Sequence, residues 1–222
     1  MTTTHSTRPA LPIVEGEAGR PPLVLFDWNG TVMDDVARAA AAANQAVAPY
    51  GLTLTAEEFQ AGFTLPLRTW LSDVGVPHDS TAQAADRWNR AMEVAAPARA
   101  SARQTIGSLR ELGAVTGVVT AAAPGSVRAD LDSNDFDGMF DYLCTDVDDK
   151  VECLRSLRHV GEQAVYVGDT AYDIVSAKSA GFTAVSIGGG YQCSATLAEA
   201  QPDHHIEDLA DLLPLVLPVR AV

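Results

Sequence analysis

The chain has 222 residues, 47% of them hydrophobic and 20% charged, and a formal net charge of -14. That length and apolar content suit one large domain, or a core with a smaller unit inserted, and exclude global disorder. A charge this negative argues against nucleic acid and anionic membranes as partners, so an anionic substrate would need a local cation to reach the protein.

Residues 1–21, "MTTTHSTRPALPIVEGEAGRP", are rich in Thr, Pro and Gly, have no apolar core of a secretory signal, and read as a mobile tail. No apolar stretch approaches the ~20 residues that span a bilayer. Cys144, Cys153 and Cys193 have no CxxC or CxxH spacing and read as free thiols of a reducing compartment. A cytoplasmic protein is expected.

The first apolar run, "LVLFDW" (23–28), reaches a carboxylate at Asp27 and leads into Asn29, Gly30 and Thr31. It reads as a buried strand delivering Asp27 to a site. After it the sequence reads as helical. There is an Ala-rich segment from Val36 to Val47, then "AEEFQAGF", "PLRTWLSDVG" and "STAQAADRWNRAMEVAAP". In the last of these, Ala85, Trp88 and Met92 recur at helical spacing. A small helical domain over 35–104, inserted after the first strand, is expected.

From residue 105 strand and helix patterns alternate. Ile106, Leu109 and Leu112 share a helix face, with Gly113 as the stop. Pro124 opens a helix running to about Asn134, and Val151, Leu154 and Leu157 mark another. The runs "VTGVVTA" (115–121), "YLCTDV" (142–147), "AVYVGD" (164–169) and "AVSIGGG" (184–190) read as strands, and "QPDHHIEDL" as a surface loop. The strand runs are continuous rather than alternating, as expected for a parallel sheet covered on both faces. The fold expected is therefore α/β: a Rossmann-like parallel sheet core over 22–34 and 105–222, with right-handed crossovers.

In open parallel sheets ligands bind beyond the carboxyl ends of the strands. The polar residues at those ends are Asp27, Thr120, Lys150, Asp169 and Asp173, which would bring carboxylates, a hydroxyl and an ammonium to one crevice. The acidic run "DVDDK" (Asp146, Asp148, Asp149) lacks the glycine and distal Glu of a calcium loop and reads as solvated. His78, His159, His204 and His205 show no metal-ligand spacing.

With these motifs in this order, the chain resembles the haloacid dehalogenase superfamily of hydrolases over about Pro22 to Leu213. Within it the likeness is to the helical-cap, phosphoglycolate phosphatase-like branch. The motifs are "DWNGT", Thr120 in "GVVTAAA", Lys150 in "DDKVECL", and "VGDTAYDIVSAKSAGF". The resemblance implies a phosphatase acting on a small phosphorylated metabolite through an aspartyl-phosphate on Asp27, with residues 35–104 as the cap; the oligomeric state stays open. Mg²⁺ is the cofactor it implies, held by Asp27, the backbone carbonyl of Asn29 and Asp169, with Asp173 behind them orienting a water or Lys150. Thr120, Lys150 and backbone N–H groups near Gly30 and Ala121 would bind the phosphoryl oxygens. Arg68 is the cap residue expected to contact substrate.

One position departs from the pattern. Asn29 stands where the phosphatases of this superfamily carry the Asp that serves as general acid and then base. General acid–base help is worth about 10²–10⁴-fold, and an amide has no titratable proton. Three outcomes follow: a slow phosphatase or one whose leaving group needs little protonation, a proton carried by water or another group such as Asp35, or a different reaction. Dehalogenases of the superfamily also lack the second Asp but need no Mg²⁺, whereas this chain keeps "GDTAYD". A catalytically weak phosphate-binding or regulatory relative is the other alternative.

Overall fold

A computed structural model describes residues 20–216. All but the last two residues of the expected tail lie outside it.

Six strands form one parallel sheet: β1 (Leu23–Phe26), β2 (Val115–Val119), β3 (Tyr142–Cys144), β4 (Ala164–Gly168), β5 (Thr183–Ile187) and β6 (His204–Ile206). Their order is β3-β2-β1-β4-β5-β6. The order reverses between β1 and β4, and that reversal opens a crevice at the carboxyl ends of the strands. β1 shows why its run is continuous. Val24 and Phe26 pack into one cluster with Val118, Val167 and Ile187, and Leu23 and Leu25 into another with Tyr166 and Leu154. Both faces are covered, so no position is free to be polar.

Between β1 and β2 lie α1 (Val36–Val47), α2 (Ala56–Gly62), α3 (Leu67–Asp73), α4 (Thr81–Ala91) and α5 (Ala102–Glu111). The last of these packs on the sheet through Ile106 and Leu109. The first four share their own core, in which Ala39, Ala42, Ala43 and Ala46 of α1 meet Phe59, Phe63, Trp70 and Trp88. Small residues on α1 let α4 approach closely. α2 starts on a capping box, with Thr55 accepting from Glu58 N and Glu58 from Thr55 N. The remaining helices are α6 (Pro124–Ser133), α7 (Lys150–Leu157), α8 (Ala171–Ser179), α9 (Ser194–Glu199) and α10 (Leu213–Val216).

Three local expectations need correction. "QPDHHIEDL" is not simply a loop: His204–Ile206 is an edge strand pairing with β5. Its two histidines stay exposed and only Ile206 is buried, so it carries no continuous apolar run. Leu112 does not share the buried face of α5; it caps the helix and is 54% exposed, because the left-handed Gly113 (φ +87°) turns the chain there. In α4 Ala84 rather than Ala85 is buried with Trp88.

Candidate active site

β1 ends at Phe26, so Asp27 is the first residue past the strand; its N–H still bonds to the Val167 carbonyl of β4 (2.8 Å). The chain then turns on Trp28, whose carbonyl accepts from Thr31, Val32 and Met33 N–H groups. Gly30 sits in this turn at φ +73°, and a Cβ there would overlap the Asp169 carboxylate. Thr120 follows β2, Lys150 opens α7, and Asp169 follows β4. Parallel register places these strand ends side by side.

The structure brings these groups together. Asp27, Asp169 and Asp173 each offer an oxygen, and the three oxygens lie within 4.8 Å of one another. All three residues are buried. Lys150, fully buried, sets its Nζ 2.6 Å from Asp173 Oδ1 and 3.0 Å from Asp27 Oδ1. The second contact is an ion pair without hydrogen-bond alignment, so Asp27 Oδ1 keeps no hydrogen-bond partner. Burial pushes the Asp27 carboxyl up to about 6, with Lys150 pulling the other way. Burial alone would lower the Lys150 ammonium, but Asp173 and Asp27 outweigh it and hold it above its usual range. Asp169 is raised well above the carboxylate range, by burial first and then by Asp27 and Asp173.

Each member is held in turn. Asp169 Oδ1 accepts from Thr31 Oγ1 (2.8 Å) and its Oδ2 from Tyr191 N–H (2.7 Å). Asp173 caps α8 together with Thr170 and accepts from Tyr166 OH (3.2 Å). Asp149 caps α7 by accepting from Glu152 N–H (3.0 Å), which accounts for part of the acidic run before Lys150. Among the described residues no other group of three His, Cys, Asp or Glu side chains has metal-ligating geometry. His205 lies instead between Ser186 Oγ (2.8 Å) and Glu207 Oε1 (3.1 Å).

A cavity of about 250 Å³ opens over this cluster. Asp27, Asn29, Thr120, Ala121 and Lys150 form its floor, and Phe63, Leu65, Trp88 and Met92 line it from the helical side. Arg68 also lines it, exposed, with Nε donating to Thr81 Oγ1 (3.3 Å). Gly30 does not line it as expected. Its N–H is already given to Asp35 Oδ1 (2.7 Å), and its carbonyl accepts from Arg99 Nε (3.2 Å). Asp35, a candidate proton carrier by sequence, is buried away from the cavity and fully engaged by Gly30, Arg38 and Tyr191. Burial raises its carboxyl, against Arg38.

Sequence reasoning passed over a second buried cluster. Arg38 of α1 bonds Asp35 Oδ2 (2.7 Å), Asp130 Oδ1 (2.7 Å) and Asn29 Oδ1 (3.2 Å). Asp130 also accepts from Trp28 Nε1 (3.0 Å) and Ala96 N–H (2.9 Å). The one available signal was Arg38 itself, the single charged residue of an Ala-rich helix. Tyr191 was also missed. It packs edge-to-face against Phe59 and Phe63 (ring centroids 5.4 and 5.1 Å), donates its hydroxyl to Asp35 (3.0 Å), and gives its N–H to Asp169.

The chain is similar to known proteins in sequence and in fold. The family described as haloacid dehalogenase-like hydrolase matches residues 24–187. A phosphoglycolate phosphatase of Mannheimia succiniciproducens is 26% identical, over 87% of this chain and 97% of that protein. A pyrophosphatase of Bacillus mycoides is 28% identical over 51% of this chain and 57% of its own length. Among solved structures, a haloacid dehalogenase-like family hydrolase from Streptococcus pneumoniae superposes with a TM-score of 0.76 at 17% identity, covering 89% of this chain and 99% of that one.

Proposed function

The chain belongs to the haloacid dehalogenase-like hydrolase family, and from that premise we propose that it is a phosphatase of a small phosphorylated metabolite, working through an aspartyl-phosphate on Asp27. The observation that carries the reading is the gathering of Asp27, Asp169 and Asp173 within 4.8 Å of one another, with Lys150 paired to Asp27 and Asp173 and the cavity opening over Asp27 and Lys150. The helical unit over residues 35–104 is the cap on this proposal, and its aromatic core closes the cavity opposite Asp27.

The donor set fits a hard divalent cation. Three carboxylates gather where one ammonium pairs with two of them, all ligating atoms are oxygen, and Asp27 Oδ1 lacks a hydrogen-bond partner. Asp27, the Asn29 carbonyl and Asp169 would hold Mg²⁺, with Asp173 behind them. When bound, it offsets the repulsion between the Asp27 carboxylate and an incoming phosphoryl group. Asp27 is then the nucleophile. Lys150 and Thr120 bind the phosphoryl oxygens and stabilise the charge that develops on them, with the N–H of Ala121 adding a donor. Asp173 holds Lys150 in place by its 2.6 Å contact. Arg68 supplies the positive charge on the cap side.

The test is release of inorganic phosphate from acetyl phosphate or p-nitrophenyl phosphate in Mg²⁺, repeated in EDTA and with Asp27→Asn. Release that needs both the metal and Asp27 is the expected result. No release across a broad panel of phosphorylated metabolites would sink the phosphatase reading, and metal-independent halide release would replace it with a dehalogenase.

A further inference from the structure

Asn29 lines the cavity beside Asp27, and its side chain is held by Arg38. A guanidinium has only donors, so the atom 3.2 Å from Arg38 Nη2 has to be the amide oxygen. The amide cannot flip without setting NH2 against N–H. Arg38 cannot turn away either, because buried Asp35 takes the same Nη2 at 2.7 Å and buried Asp130 takes Nη1 at 2.7 Å and Nη2 at 3.0 Å, so that Asn29 shares the Nη2 hydrogens with both carboxylates. No acceptor among the described side-chain bonds takes Asn29 Nδ2. The NH2 thus has no protein acceptor and belongs to a residue that lines the cavity, so it is available to an occupant. From the cap side the cavity is lined mainly by apolar groups, Phe63, Leu65, Trp88 and Met92, with Arg68 and Asn89 beside them.

We infer that Asn29 is a fixed hydrogen-bond donor for a departing oxyanion, and that the substrates are phosphate derivatives of acidic hydroxyls on an apolar body, namely aryl and acyl phosphates. This rests on the phosphatase reading and narrows it. An Asp at this position could hand a proton to a poor leaving group; the amide can only donate a hydrogen bond to one that already leaves as a stable anion. In the first step an Asp27 oxygen forms a bond to phosphorus, the bond from phosphorus to the leaving oxygen breaks, and its electron pair leaves as phenolate or carboxylate, accepting from Asn29 Nδ2. In the second step water bonds to phosphorus and the Asp27–phosphorus bond breaks with its pair returning to the carboxylate. The water's second proton passes to a phosphoryl oxygen, giving dihydrogen phosphate. No side chain has to give or take a proton. Asn29 touches the reacting atoms; Arg38 acts through it as a positioning residue.

Two kinetic consequences follow. kcat/KM reports the first step, so it should fall steeply as the leaving group becomes less acidic. The second step has no base to activate water and is common to all substrates, so kcat should be nearly constant across good leaving groups, with a burst of phenolate close to one equivalent per chain. The experiment measures a series of substituted phenyl phosphates, acetyl phosphate and small alkyl phosphates with the full chain in Mg²⁺. Aryl and acyl substrates are expected to exceed alkyl ones by more than about 10²-fold in kcat/KM. Asn29→Asp should narrow that gap and abolish the burst. Asn29→Ala should lose most on the poorest leaving groups. Arg38→Lys, which breaks the planar fork, should steepen the leaving-group dependence of kcat/KM while kcat on the best leaving groups stays unchanged. Where Arg38→Lys fails to fold, Asn29→Ala carries the same test. A profile that depends on Asp27 yet is equal for alkyl and aryl phosphates overturns the leaving-group assignment alone. Absence of Asp27-dependent phosphate release overturns both this assignment and the phosphatase reading.

Discussion

Two buried clusters, each built around one cation, flank the same turn, and they are put together differently. Lys150 faces Asp27 and Asp173 with Asp169 close by, three carboxylates for one ammonium, and Asp27 Oδ1 has no hydrogen-bond partner. Arg38 faces Asp35 and Asp130, two carboxylates for one guanidinium, and the remaining lone pairs are taken by Gly30, Ala96, Trp28 and Tyr191. Burying charge is costly unless it is paired and hydrogen-bonded throughout. The Arg38 cluster has one carboxylate in excess, but each of its carboxylate oxygens is hydrogen-bonded by protein atoms. The Lys150 cluster has two in excess and an oxygen left over, and it borders the cavity. An unsaturated cluster beside an opening suits a metal ion and a phosphoryl group, whereas a saturated one away from it suits a brace. The two meet at Asn29, whose neighbour Gly30 is tied to Asp35.

This contrast can be broken. The largest stability effect is expected from Arg38→Met, which leaves Asp35 and Asp130 buried without their cation. Losing one partner of a buried pair costs about 3–5 kcal/mol, to be read as a lower denaturant midpoint. If the protein tolerates Arg38→Met with no loss, the cluster is not a brace. Next is the response to metal. At about 100 times its dissociation constant Mg²⁺ should stabilise the chain by about 2.7 kcal/mol, seen as a rise in melting temperature. Asp169→Asn should remove that rise along with the phosphate release. A rise that survives Asp169→Asn would place the ion elsewhere. The smallest effect belongs to Tyr191→Phe, which removes one of the donors to Asp35 while keeping the ring among Phe59 and Phe63. A cost of about 0.5–1.5 kcal/mol is expected from one hydrogen bond, measured by chemical denaturation in the presence of Mg²⁺. A much larger cost would make the hydroxyl a linchpin of the Arg38 cluster rather than one contact among several.

What could be read from the sequence followed local rules. Asp27, Thr120 and Asp169 each come directly after a strand, and Lys150 opens a helix behind a capping Asp149. Hydrophobic runs mark strands, so the residues that terminate the runs are marked too. The floor of the cavity was legible for that reason. The Arg38 cluster was not, because Arg38 and Asp130 are 92 residues apart and neither sits at the end of an apolar run. β6 escaped for a related reason: as an edge strand with two exposed histidines, it shows neither continuity nor a full alternation.

The sequence by itself determined the parallel sheet, the helical insertion and the presence of an amide where a carboxylate was expected. Those depend on side-chain chemistry taken a few residues at a time. Only the tertiary structure decided which way that amide faces. Its orientation is set by an arginine donor from another element, locked by an aspartate far along the chain. Because a guanidinium cannot accept a hydrogen bond, that contact turns the amide oxygen toward Arg38, a constraint that no local reading of Asn29 contains.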